Sequence, residues 1–309
     1  MKLLKILSLF TLLSGLCISC DSIGDNLDDC GMYVNLYFEY PKFPERIHRV
    51  NVGIINKDNG QFVRVRNLSK KYLIDYQGIR TRLMPGNYMA VCWGNAFDKT
   101  TIGGLDFDLP AEDHWVKHPK FIAWEDPLAL HEQIQTNDSL FYGRHTFEIP
   151  EMYGVYNDTV HYRPAHITFE VYVHGLESTL PQKPTDNYPF VTFNNLRPYY
   201  DYEMETLGDY VSYYPTMEVD TDMVMASCTT KVLRFTNENP IEIVIDEPQV
   251  RTHPEIPYTI DVKQLLHGRL DLIEEDKEYI IKIGVYFNGL GVEVKLLGWI
   301  GQGTETPID

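Results

Sequence analysis

Along most of this chain apolar side chains recur at every second position, a period that suits a half-buried strand and not a helix. Met32, Val34, Leu36, Phe38 and Tyr40 form one such run, and Val50, Val52 and Ile54 another. Ile167, Phe169, Val171 and Val173 repeat the pattern, as do Tyr279, Ile281, Ile283, Val285 and Phe287. Turn chemistry punctuates these runs. Lys57-Asp58-Asn59-Gly60 predicts a hairpin whose return strand holds Phe62, Val63 and Val65, because Asn and Gly tolerate positive φ. Asn288-Gly289 predicts a second hairpin, returning through Val292, Val294 and Leu296 on one face, with Trp299 on the other. Leu83-Met84-Pro85-Gly86-Asn87-Tyr88 places Pro and Gly at the centre of a type II turn that leads into a strand at Met89 to Trp93. Further strands are predicted at Phe141 and Tyr142 with Thr146 to Ile149, at Phe190 to Phe193, at Met223 to Phe235 and at Ile241 to Ile245. Asp261 is the expected N-cap of one short helix ending near Leu266. The whole predicts an all-β protein built from sandwiches.

At about 150 residues per domain, 309 residues suggest two domains. The stretch Tyr153 to Pro164 reads as a linker, which gives an N-terminal β-sandwich over 31–152 and a C-terminal one over 153–309. Between Thr100 and Gln135 the period fades among prolines and charges, so long loops with at most a short helix are expected there.

The N-terminus carries an address. Lys2 and Lys5 precede an apolar run from Ile6 to Ile18, shorter than the roughly 20 residues of a membrane-spanning helix. Residues 1–19 therefore read as a cleaved signal peptide. Ile18-Ser19-Cys20 resembles the bacterial lipobox, which makes Cys20 the expected lipidation site and an outer-membrane lipid the expected partner. Residues 20–30, with Asp21, Asp25, Asp28 and Asp29, form an acidic tether similar to the stretch that sends many Bacteroidetes lipoproteins to the cell surface.

Charge and motifs narrow the function further. With 27 Lys and Arg against 44 Asp and Glu, the net charge is −17, which argues against nucleic acid as a partner, and no basic patch is expected. The chain has no GxSxG, P-loop, GxGxxG or HExxH pattern, so no catalytic residue, cofactor or metal is nominated and the chain does not read as an enzyme. His114, His118 and His131 are the densest histidine group and read as surface residues. Asp106, Asp108, Glu112 and Asp113 read as a solvated loop rather than a Ca²⁺ site, and Asp220 with Asp222 as a turn. Glu274, Glu275, Asp276 and Glu278 read as charges that keep the final hairpin soluble. Cys30, Cys92 and Cys228 allow one disulfide, such as Cys30 to Cys92, or buried free thiols. Two tyrosine clusters, Tyr199, Tyr200 and Tyr202, then Tyr210, Tyr213 and Tyr214, suit either sandwich packing or stacking on a sugar or protein. The second use would make this a surface glycan-binding lipoprotein.

Taken in order, Cys20-Asp21-Ser22-Ile23, Cys30, the strand Val34 to Tyr40, Leu83 to Tyr88 leading to Cys92-Trp93-Gly94-Asn95, Asp138-Ser139-Leu140-Phe141-Tyr142-Gly143, and the last hairpin resemble the FimB-type fimbrium anchor lipoproteins of Bacteroidetes. The resemblance implies two tandem transthyretin-like Greek-key β-sandwiches and no catalysis. It implies a cell-surface subunit that anchors a fimbrium to the outer membrane, binds the adjacent pilin by β-strand pairing and limits fibre length. An anchor of this kind keeps its first strand, whereas shaft pilins lose theirs to a protease. The first basic residue after Cys20 is Lys42, beyond that strand, so an Arg- or Lys-specific protease has no site before it. The tail from Ile300 to Asp309 is polar and short for a donor strand.

Overall fold

The computed structural model describes residues 31–117, 134–151, 154–181, 188–267, 276–301 and 304–306. The signal peptide, Cys20, the tether with Cys30, His118, His131, Glu274 and Glu275 lie outside these residues.

In the first half the chain runs β1 (Met32–Glu39), α1 (Phe43–Arg46), β2 (Val50–Asn56), β3 (Gln61–Leu68), α2 (Lys70–Asp75), β4 (Gly78–Leu83) and β5 (Gly86–Gly94). It continues through β6 (Thr101–Gly103), β7 (Trp115–Lys117), β8 (Phe141–Ile149) and β9 (Val155–Pro164). Seven of these strands form a sheet in the order β3-β2-β5-β8-β9-β1-β4. β9 joins two layers: Val155 to His161 pair in parallel with β1, and Tyr162 to Pro164 pair antiparallel with β8. The layers face each other across one core, in which Val34, Leu36 and Phe38 meet Val52, Ile54 and Cys92. Each Leu-sized side chain removed from water there contributes about 1.5–3 kcal/mol.

The second half has the strands β10 (His166–His174), β11 (Phe190–Leu196), β12 (Tyr199–Tyr200), β13 (Thr206–Leu207), β14 (Val211–Tyr213), β15 (Glu218–Asp220), β16 (Met225–Leu233) and β17 (Glu242–Asp246). After them come β18 (Tyr258–Asp261), α3 (Val262–Leu265), β19 (Tyr279–Asn288), β20 (Gly291–Gly301) and β21 (Thr304–Thr306). A six-stranded sheet, β15-β16-β10-β19-β20-β21, and a four-stranded one, β14-β11-β17-β18, enclose a second core around Phe169, Phe193, Ile243 and Ile283. As expected, the Asp261 carboxylate caps α3, accepting from Gln264 N at 2.9 Å.

Three expectations need correction. Residues 155–164 are not a linker: they form β9, so sheet membership changes at Ala165 rather than near residue 153. The strand is hard to read because only Val160, Tyr162 and Pro164 alternate into the interior, while Val155 is exposed and polar residues lie between. Gly86 has φ +150°, far from the roughly +80° of a type II turn, and the Pro-Gly link carries the chain from β4 in one layer to β5 in the other. In the final hairpin the register shifts after Ile283 and Leu296, so the backbone of Trp299 pairs with Ile281, and the unbroken alternation that set Trp299 out of phase does not hold.

Charge is also unevenly spread, contrary to the expectation of no basic patch. Residues 31–99 carry eleven Lys and Arg against five Asp and Glu, a net +6 within a chain of net −17.

Candidate functional site

The motifs singled out in the sequence meet at the junction of the halves, where they act as staples. Asn95 has a positive φ of 62° and accepts from His48 N at 2.8 Å while donating to Arg46 O at 2.8 Å. The Asp138 carboxylate accepts from the backbone N–H groups of Phe97, Asp98, Lys99 and Thr100, each at 3.0 Å, and so closes the loop that follows β5. Trp93 is fully buried. Its indole N–H donates to His114 Nε2 at 2.8 Å, which leaves the His114 proton on Nδ1, facing Gly103 O at 2.9 Å. His114 is therefore a core residue and not the surface group expected, and burial pulls its pKa down to about 4.

From the other half, Tyr200 stacks on Trp93 with ring centroids 5.5 Å apart. Its hydroxyl donates to Ala165 O at 2.9 Å and accepts from Arg234 N at 2.6 Å. β12 pairs with β7, so the small sheet β13-β12-β7-β6 takes two strands from each half. Residues 134–137 form a clasp in the opposite direction. Ile134 enters the second core, Asn137 N donates to Lys231 O at 2.9 Å, and Asn137 Nδ2 donates to the Tyr213 hydroxyl at 2.7 Å. Glu278, read earlier as a solubilising charge, instead receives hydrogen bonds from Tyr40 and Arg46 across the junction. His166, at the crossing itself, faces Leu140 O through Nδ1 at 3.0 Å, and burial lowers its pKa to about 4 as well.

A cleft of about 1030 Å³ opens beside this junction, lined by Arg163, Arg197, Arg234, Tyr200 and Tyr210 among others. Its arginines already hold structure: Arg197 lies over the Tyr210 ring at 4.2 Å, Arg163 over Tyr142 at 5.6 Å, and Arg234 donates to Lys277 O at 3.3 Å. Tyr200 and Tyr213 are fully buried and cannot stack on a sugar, which removes one tyrosine from each cluster that a glycan site would use. Cys92 and Cys228 are free, buried thiols, each pushed up to about 12 by desolvation. Among the described residues, no group of three His, Cys, Asp or Glu is placed to hold a metal, the acidic loop at Asp106 to Asp113 included. Asp220 and Asp222 make a turn, with Asp222 N donating to Asp220 Oδ1 at 3.0 Å.

The strand edges are the remaining candidates for a partner. β1 lies between β9 and β4 and is hydrogen-bonded on both sides. β20 pairs with β19 along its whole length, but on its other side β21 covers only Trp299, Ile300 and Gly301. Among the described residues, Gly291 to Gly298 thus present one open edge. Their inward residues Val292, Val294 and Leu296 are only partly buried, whereas Ile283, Val285 and Phe287 opposite them are fully enclosed. Sequence reasoning found the hairpin, but the missing neighbour is a property of sheet order that no local pattern encodes.

Comparison with known proteins places this geometry in context. The family model described as fimbrillin-A associated anchor proteins Mfa1 and Mfa2 matches residues 27–302. The fimbrial anchor protein Mfa2 from Porphyromonas gingivalis superposes with a TM-score of 0.60 at 16% identity, covering 90% of this chain and 98% of that one. A candidate polysaccharide-binding protein from Bacteroides thetaiotaomicron gives 0.62 at 13% identity, over 91% and 98% of the two chains. An adhesin candidate from the same organism gives 0.60 at 13%, over 90% and 98%. These identities speak for a shared fold. No curated protein matches the chain in sequence.

Proposed function

The chain belongs to the family of fimbrillin-A associated anchor proteins, and from that premise we propose that it is the lipid-held base subunit of a fimbrium. In this reading Cys20 is acylated and fixed in the outer membrane, the tether of residues 20–30 spans the headgroups, and the folded body stands at the cell surface. The adjacent pilin adds a strand along Gly291 to Gly298 of β20. Main-chain hydrogen bonds supply the affinity, and burial of Val292, Val294 and Leu296 sets the register.

The observation that carries the reading is the contrast between two strands. β1 is the strand nearest the tether and is paired on both sides, so a load applied through the lipid meets hydrogen bonds along its whole length. β20 has one open side. A subunit that keeps β1 has no vacant groove to be filled by a further pilin, so growth stops at it and fibre length is limited. Lys42, the first basic residue after Cys20, lies beyond β1, in keeping with an uncut strand.

Two substitutions test the two ends. Cys20→Ala should shed fimbriae from the cell, and fimbriae that stay attached and of normal length would remove the anchoring role. Glu293→Cys, at the exposed edge of β20 and labelled with a maleimide that carries a photoreactive benzophenone, should crosslink to a pilin on irradiation, while Asp222→Cys labelled alike should not. The native Cys92 and Cys228 are buried, and Cys30→Ser in both variants keeps the label on the introduced thiol. Equal crosslinking at both positions would rule out edge pairing.

A further inference from the structure

The basic excess of residues 31–99 has a definite location. Between Gln61 and Leu83 stand Arg64, Arg66, Lys70, Lys71, Arg80 and Arg82, with Asp75 the one acidic residue. β3 and β4 are the two edges of the first sheet, α2 connects them in the chain, and Arg64 Nη2 reaches Arg82 O at 3.5 Å, so the six charges border one side of the sandwich. Register brings Tyr33 opposite Arg82 and Asn35 opposite Arg80 on the outer face of β1 and β4. Arg82 lies 4.0 Å above the Tyr33 ring and Arg80 4.1 Å above the Tyr76 ring. Large apolar groups stand in solvent among these cations: Ile74 is 61% exposed, Tyr33 52% and Tyr37 42%.

The same side is where the tether enters. A small cleft of about 270 Å³ is lined by Gly31 together with Arg64, Arg82 and Met84. Eleven residue steps separate Cys20 from Gly31, and at no more than about 3.6 Å each the body stays within roughly 40 Å of the lipid.

We propose that this face of β1, β4 and α2 is the side the protein lays against the membrane, where its Arg and Lys take anionic lipid headgroups; this deepens, and rests on, the lipid-anchored reading above. Tyrosines and guanidinium groups together are the side chains that settle at headgroup depth, apolar body inward and polar end in water. Each basic residue near an anionic surface strengthens partitioning about fivefold, within a screening length of about 8 Å at physiological salt. Anionic lipid is favoured over an acidic protein because the covalent tether holds headgroups next to this face. The tether's four Asp are the competing occupant.

Vesicle sedimentation with the unacylated chain from Asp21 to Asp309 tests the face apart from the lipid. It should bind phosphatidylcholine vesicles that contain phosphatidylglycerol, ignore pure phosphatidylcholine, and lose binding in high salt. Lys70→Gln, Lys71→Gln, Arg80→Gln and Arg82→Gln combined should weaken partitioning by at least about thirtyfold, while Lys263→Gln with Lys295→Gln should not. Lys70→Gln with Lys71→Gln alone touches only exposed side chains, so a smaller loss there keeps the test open if the fourfold variant fails to fold. Unchanged binding in both variants, or no anionic preference in the parent, overturns the proposal. Binding that emerges only after Asp21, Asp25, Asp28 and Asp29 are changed to Asn would assign the face to the tether and overturn it equally. Acylation of Cys20 is read separately, from the mass of the mature N-terminus, so failure of the lipid reading and failure of this face are distinguishable.

Discussion

β1 in the first half and β10 in the second occupy equivalent places. Each lies between the late strand of its half, paired in parallel (β9 and β19), and an earlier strand paired antiparallel (β4 and β16). The halves part company at the next strand out. β9 passes from β1 to β8 and so ties one layer to the other, whereas β19 continues into β20, whose outer side is open over Gly291 to Gly298. One arrangement thus produces a unit whose two layers are joined through β9, with β3 and β4 as its edges, and another whose long strand β20 has an open side. The junction also buries the second face of β5: an additional cluster, Met89, Val91 and Trp93 packed with Tyr200 and Leu233, covers the face turned away from the main core.

The comparison breaks most visibly through matched core truncations. Leu36 on β1 is fully buried between two paired neighbours, so Leu36→Ala should cost about 4 kcal/mol, the upper part of the range for a buried Leu. Val294 on β20 is only partly buried beside an open edge, and Val294→Ala should cost about 1 kcal/mol. Urea unfolding of the two variants measures both. Equal costs would mean that β20 is as enclosed as β1 and that the asymmetry on which partner pairing depends is absent.

Acid should separate the halves next. His114 lies in the first half and His166 opens β10 at the junction, and both have pKa values lowered from 6.5 to about 4 by burial. The unfolded chain therefore takes up protons near pH 6.5 and the folded one only near pH 4. Stability is complete above about pH 6.5 and is lost as the pH falls to about 4, by up to about 3 kcal/mol for each histidine. His166→Gln should flatten this slope by about half. Stability that stays constant between pH 7 and 4.5 would mean that the two imidazoles are not held neutral by burial.

Much of this contrast was legible in the residues. The alternation at Met32 to Tyr40, at Ile167 to Val173 and at Tyr279 to Phe287 located the central strands, because a strand with one buried face writes its period into the chain. Asp261 announced its cap, and Asn59-Gly60 and Asn288-Gly289 their turns. β9 was obscured because it serves two layers in turn, which interrupts the period. His114 was misread for a different reason: its burial comes from the other elements of the junction, and local sequence carries no record of what will cover it, whereas Tyr200 takes the packing role its cluster allowed. The cations of β3, α2 and β4 were hidden by averaging, since the whole-chain balance of −17 concealed a segment of opposite sign.

The smallest effect concerns the contact that unites the two halves at the rim. Glu278 accepts from the Tyr40 hydroxyl at 3.1 Å and pairs with Arg46, whose side chain is 40% exposed. Water at Arg46 screens that pair, so Glu278→Gln, which keeps an acceptor for Tyr40, should cost no more than about 1 kcal/mol, and less as salt is added. The buried links from Tyr200 to Ala165 and from Asn137 to Lys231 carry the junction in this view, and the ion pair only aligns it. A loss above about 2 kcal/mol, unchanged by salt, would reverse that order: Glu278 would then behave as a desolvated charge whose partner cannot be removed without leaving a buried ion behind.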